Sequence, residues 1–133
     1  MKKSTNLKDK LDKIFSLYIR LRDADENGTV QCFTSGKLMH YKKAHAGHYI
    51  SRRHLSTRWD EINVQVQSVG ENIYNQGNAP VFAINLDDKY GEGTSKNLVL
   101  KSNEEFKPTK DWYLEKIEYY KNKVNKLLKN ISE

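Results

Sequence analysis

The sequence predicts an α+β fold: a small β-rich centre held between two amphipathic terminal helices. Near the start, Leu7, Leu11, Ile14, Tyr18 and Leu21 recur at spacings of four and three, which marks one apolar face of a helix over residues 5–22. Near the end, Tyr113, Ile117, Tyr120, Val124, Leu127 and Ile131 repeat in the same way over 109–131. Between them lie short apolar runs with strand-like alternation and turn residues, too brief for long helices.

Each element has a local reason. "DADENG" (Asp23–Gly28) stops the first helix, and its Asn-Gly pair suits a tight turn. The same six residues match the first half of a calcium loop, but Thr34 stands where a bidentate Glu is needed, so a polar turn is expected. "VQCFTSGKLMHY" (Val30–Tyr41) reads as a hairpin around Thr-Ser-Gly, "GHYIS" as a strand, and "NVQVQS" (Asn63–Ser68) as a strand of period two. "GEN" (Gly70–Asn72) begins a helix-forming stretch, and residues 78–90 and 94–101 read as short helices split by Gly91 and Gly93. Thr109 is the expected N-cap of the last helix, with Asp111 in its first turn. No linker or repeat interrupts the chain, so one domain over 1–133 is expected, with a β-rich centre at 30–76.

Composition narrows the function. A net charge of +6 and a pI near 9.3 favour a polyanionic partner, nucleic acid first. No apolar run could span a membrane, and the lysine-bearing start lacks the apolar stretch of a secretory signal. The single cysteine, Cys32, fits a reducing cytoplasm.

The chemistry concentrates in "KKAHAGHYISRRH" (Lys42–His54), which holds three of the four histidines. Hydrolysis of a phosphodiester needs a base for water, a cation on the leaving oxygen and positive charge along the backbone. His48 suits the base, and the preceding Gly47 is expected to give a substrate phosphate room. Asn63 precedes a strand, and Asn72 opens a helical stretch where its amide oxygen could ligate a hard ion. A strand with His, a loop with Asn, a strand and a helix with Asn follow the order of a ββα-metal (His-Me or HNH) finger.

"SLYIRLRDADENG", "AGHYISRRH", "TRWDEINVQVQ", "KYGEG" and the closing Tyr/Lys helix resemble successive blocks of the phage lambda NinG (Rap) recombination nucleases, over about Lys10 to Leu128. The resemblance implies a Holliday-junction or branched-DNA endonuclease with an HNH-like finger. It implies His48 as general base, Asn63 orienting it, and Asn72 with His45 holding one catalytic Mg²⁺ or Mn²⁺. That family carries two Cys pairs for a structural zinc, which here become Cys32 with Ser35 and Ser68 with Glu71. Three of the four thiolates are missing, so no structural zinc is expected. Hydrogen bonds and packing, with Val66 and Val69 contributing, are expected to pin the finger instead.

The remaining residues divide between grip and scaffold. Arg52, Arg53, Arg58, His54, Lys42 and Lys43 are expected to hold DNA phosphates. Trp59 and Trp112 read as core anchors rather than stacking platforms, and His40 as structural. Recognition should follow shape and backbone, and cutting two strands of a junction implies a homodimer. The rival expectation is a non-catalytic, structure-selective DNA-binding protein on a degenerate finger.

Overall fold

A computed structural model describes residues 2–132, and the side chains of 6–132; Met1 and Glu133, the ends of the expected domain, lie outside it. Among the described residues, five α-helices and four short strands follow in the order α1 (Lys2–Leu21), β1 (Thr29–Gln31), β2 (Leu38–His40), β3 (His45–His48), α2 (Leu55–Arg58), β4 (Val64–Gln67), α3 (Ala79–Tyr90), α4 (Thr94–Ser102) and α5 (Lys110–Leu128). A 3-10 turn (Tyr41–Lys43) precedes β3, and a π-helical turn (Gly70–Tyr74) follows β4. The mixed α+β class agrees with the expectation from sequence.

α1 lies along α5, and their facing side chains make the main core. Leu7, Leu11, Phe15 and Ile19 are buried against Tyr113, Tyr120, Trp59 and Val64. The stripe is therefore a ridge of i, i+4 neighbours centred on Phe15, with Ile14 and Tyr18 only partly buried at its edge. A second cluster joins Leu21, Val30, Tyr41, Ala44, Val66 and Val124 beneath the hairpins. A third, Phe82, Leu86 and Leu98, is closed by Phe33, Tyr49 and Ile50.

Two antiparallel hairpins occupy the centre. β1 pairs with β2 through Thr29–His40, Val30–Met39 and Gln31–Leu38, and β3 pairs with β4 from His45–Gln67 to His48–Val64. Phe33 N–H donates to Val66 O at 2.8 Å and joins the first hairpin to β4. The "GHYIS" strand is shifted: it begins at His45 and ends at His48, because the chain turns away at Tyr49 into a loop containing the short, unforeseen α2. Thr109 caps α5 by accepting from Trp112 N at 3.1 Å. Asp25 Oδ1 accepts from the N–H groups of Asn27 and Thr29, both at 2.9 Å, so the calcium-like hexapeptide is a self-satisfied polar turn. His40 is structural as expected: its Nδ1 accepts from Lys42 N at 3.2 Å and its ring lies 4.7 Å from that of Tyr41.

Candidate active site

Strand alternation decides which groups around β3 can act together. Successive side chains point to opposite faces, so His45 and Gly47 share one face while Ala46 and His48 share the other.

On the second face, His48 meets α1 and the β3–β4 loop. Its Nε2 lies 2.9 Å from the carbonyl oxygen of Arg58. A carbonyl only accepts, so Nε2 carries the proton and Nδ1 is left with its lone pair. A cavity of about 110 Å³ adjoins the ring, lined by Asp12, Phe15, Ser16, Ala46, His48 and Arg52. Burial pushes the imidazole pKa down to about 4, reinforced by the charges of Arg52 and Arg58 against the opposing pull of the Arg58 carbonyl and Asp12. Near neutral pH this ring is therefore uncharged and has a defined tautomer.

The loop that presents Arg58 O is latched by Asn63, which is fully buried. Asn63 Oδ1 accepts from Ile50 N at 2.7 Å, and its Nδ2 donates to Ile50 O at 3.1 Å and Thr57 O at 3.0 Å. Asn63 makes no direct bond to His48. It fixes Thr57, the neighbour of the residue whose carbonyl holds the ring, and so positions the histidine through the backbone.

Asp12, on α1, is the group that sequence reasoning missed. Its carboxylate accepts from Arg58 Nε at 3.1 Å and from the Arg58 amino group, from Arg52 at 3.0 Å and from Trp59 Nε1 at 2.9 Å. Burial works to raise its pKa, but the hydrogen bonds and charge of Arg58, with Arg52 and Trp59, outweigh it and hold the carboxyl below its usual range. Its signal in the sequence was slight: it is one of two aspartates, with Asp9, on a predominantly basic helix.

These bonds change the expected roles of the arginines. Arg58 is a scaffold residue, its side chain only 12% exposed and committed to Asp12, with NH1 also donating to Arg52 O at 3.1 Å. Arg52 is 58% exposed at the cavity edge and can reach a phosphate, as can the exposed Arg53 and Lys43. Lys42 is exposed beside Lys43 in the 3-10 turn, and His54 is partly buried at the start of α2. Trp59 is a core anchor as expected, but Trp112 is half-buried and forms part of a surface cavity.

On the first face, His45 Nδ1 and Asn72 Nδ2 are 3.1 Å apart. The two expected metal ligands thus meet, across β3 from His48. Gly47 lies on this face too, and the expected room for a phosphate is already filled: a Cβ there would fall 1.9 Å from Gln67 Oε1. The glycine admits the Gln67 side chain, not a substrate. Among the described residues no group of three or more His, Cys, Asp or Glu could hold a metal ion. One imidazole and one amide fit only a weakly held divalent ion, whose remaining positions would be water and substrate phosphate.

The Cys-pair positions remain neighbours without their thiolates. Cys32 Sγ accepts from Ser68 N at 3.2 Å and Ser35 N at 3.4 Å, with Thr34 Oγ1 at 3.6 Å. Burial would raise the thiol pKa, yet these donors outweigh it and bring the group to about 7. Ser68 Oγ accepts from Glu71 N at 3.2 Å, while the Glu71 carboxylate takes bonds from Asn75 at 2.9 Å and Asn78 at 3.0 Å. Together with a side-chain bond from Thr34, these lower the Glu71 pKa. Val66 is buried in this region, but Val69 is 37% exposed and does not contribute the expected packing. Replacing Cys32 by Ala strands two N–H donors and is expected to lower stability by about 1–3 kcal/mol. A zinc chelator is expected to leave the wild-type unfolding midpoint unchanged; urea titrations with and without chelator measure both.

The arrangement is that of a small α+β domain whose central hairpin carries a partly buried, neutral histidine on one face and a His/Asn pair on the other. The chain belongs to the NinG family: the family model described as bacteriophage Lambda NinG protein matches residues 1–131. No curated protein and no solved structure matches it.

Proposed function

We propose that the protein is a divalent-metal-dependent endonuclease acting on branched DNA during phage or prophage recombination. Membership of the NinG family supports the recombination setting. The observation that carries the catalytic reading is the placement of His48: its tautomer is set by Arg58 O and it adjoins a small cavity edged by Arg52, while burial keeps it neutral near pH 7 and weak as a base until a bound phosphate raises its pKa. In this reading Arg52 leaves Asp12 to hold the scissile phosphate, Nδ1 of His48 takes a proton from water, and the water oxygen attacks phosphorus as the 3′-oxygen departs. His45 and Asn72, in place of their bond to each other, would hold the divalent ion across β3 from His48, where when bound it would supply charge to the neighbouring DNA backbone rather than to the phosphate at Arg52. Arg53, His54, Lys42 and Lys43 add backbone grip without sequence preference. Paired incision across a junction calls for two copies of the chain.

A second reading has its own observation. His45 and Asn72 lie across β3 from His48 and bring no carboxylate, an arrangement that suits a DNA-binding protein that no longer cuts. Incubation of the purified protein with a labelled four-way junction, in Mg²⁺ or Mn²⁺ and in chelator, separates the two. Metal-dependent cleavage is the expected result; binding without cleavage under either ion selects the second reading, and absence of binding overturns both.

A further inference from the structure

We propose that a cavity beside the His48 pocket is a binding site for one unpaired nucleobase, which makes branched DNA the preferred substrate; this inference rests on the DNA-directed reading above. The cavity has a volume of about 310 Å³, and its walls include Trp59, Phe106, Trp112 and Tyr120. That is the small end of the range for ligand sites, suited to a single heterocycle and too small for a duplex or a folded peptide. The rings stand at steep angles to one another, Phe106 to Trp112 at 75° with centroids 5.0 Å apart and Trp59 to Trp112 at 52° and 5.6 Å, so the aromatic surface forms corners rather than a flat patch.

The charge of the lining is mixed, so size and aromatic walls define the occupant. Two lysines, Lys101 and Lys116, and three carboxylates, Asp60, Glu104 and Glu105, line the cavity; Lys101 is paired with Asp60 at 2.6 Å, Glu105 with Lys107 at 3.1 Å, and the Lys116 ammonium sits 5.8 Å from the centre of the Trp112 ring. A neutral base meets no net repulsion in this mixed lining, and Lys116 offers its backbone phosphate a partner. Asp60 is occupied a second time, accepting from the N–H groups of Ile62 and Asn63 at 2.8 and 3.1 Å, so it is not a free anion repelling DNA.

Position gives the strongest argument. Trp59 links the two cavities: it lines this one, and its Nε1–H donates at 2.9 Å to Asp12, which lines the His48 pocket. Trp59 also directly follows Arg58, whose carbonyl holds His48. A nucleotide whose phosphate lies at Arg52 and His48 would therefore have a base-sized recess on the far side of Asp12 and Trp59. A base paired in a duplex cannot enter it, whereas a base splayed at a branch can.

The test is a double-mutant cycle by fluorescence anisotropy in chelator, so that no cleavage intervenes. A four-way junction with one unpaired cytosine at the branch is compared with its abasic twin, for wild type, Trp112→Ala and Phe106→Ala. Wild type is expected to prefer the base-bearing junction by about five- to a hundred-fold, the range for one stacked base. Both variants, each checked for folding by circular dichroism, are expected to bind the two junctions within about twofold of one another. An equal affinity of wild type for the two junctions, or an undiminished preference in both folded variants, overturns the proposal. Junction cleavage together with either of those results removes the base site alone; failure to bind any DNA removes the DNA-directed reading as well.

Discussion

Asp12→Ala is expected to be among the most destabilising single substitutions in the protein. The Asp12 and Arg58 side chains are only 20% and 12% exposed, so removing the carboxylate leaves a guanidinium in a low-dielectric site with no counter-charge. Breaking a buried pair from one side costs about 3–5 kcal/mol, and partial exposure of both groups places this pair near the lower bound. Arg52 and the Trp59 indole N–H lose the same acceptor. Asp12→Asn keeps one oxygen acceptor and the shape, and should recover part of the loss. Because the carboxyl pKa is lowered in the folded state, its contribution is present above the ordinary carboxylate range and is lost as pH falls through its folded pKa. Urea denaturation of the three proteins at pH 7 and at pH 3 measures both effects: the gap between wild type and Asp12→Ala should shrink in acid.

His48→Ala is expected to have the largest effect on activity. Removal of a positioned general base lowers rate by about 10²–10⁴-fold. It should leave junction affinity nearly intact, since His48 contributes no charge near neutral pH. The pH dependence has a definite sign. The folded pKa, about 4, lies below the ordinary value of 6.5, so the unfolded chain takes up the proton first as pH falls. Stability therefore declines from about pH 6.5 to about pH 4 through this group and levels off below; His48→Ala should lack that component. Cleavage should follow the neutral form, unaffected by His48 titration at pH 6.5–8 and falling towards the acid limb. A midpoint displaced upward from about 4 would report the bound phosphate favouring the charged ring.

Periodicity and local chemistry made much of this legible in advance. The terminal helices, the Thr109 cap, the first hairpin and the alternation of β4 all arise from residues close in sequence, where spacing alone carries the information. The meeting of His45 with Asn72, 27 positions apart, was reachable only through the family resemblance. What stayed hidden depends on long-range pairing. Asp12 and Arg58 are separated by 46 positions, and nothing local distinguishes Arg58 from the freer Arg52 and Arg53. Gly47 was misread for a related reason. Its neighbour Gln67 comes from the opposite strand, and only the register of β3 with β4 reveals that the space is taken. The helical stripe was displaced towards Phe15 and Ile19 because the actual contacts with α5 choose one ridge among several apolar ones.

The central claim, that His48 serves as the base in DNA hydrolysis, is tested most directly by single-turnover cleavage. Wild type and His48→Ala are compared on one labelled four-way junction, in Mn²⁺ near neutral pH, with enzyme saturating. Wild type is expected to incise the junction in a metal-dependent way, and the variant about 10²–10⁴-fold more slowly at unchanged junction affinity. Equal incision rates for the two folded proteins would contradict it.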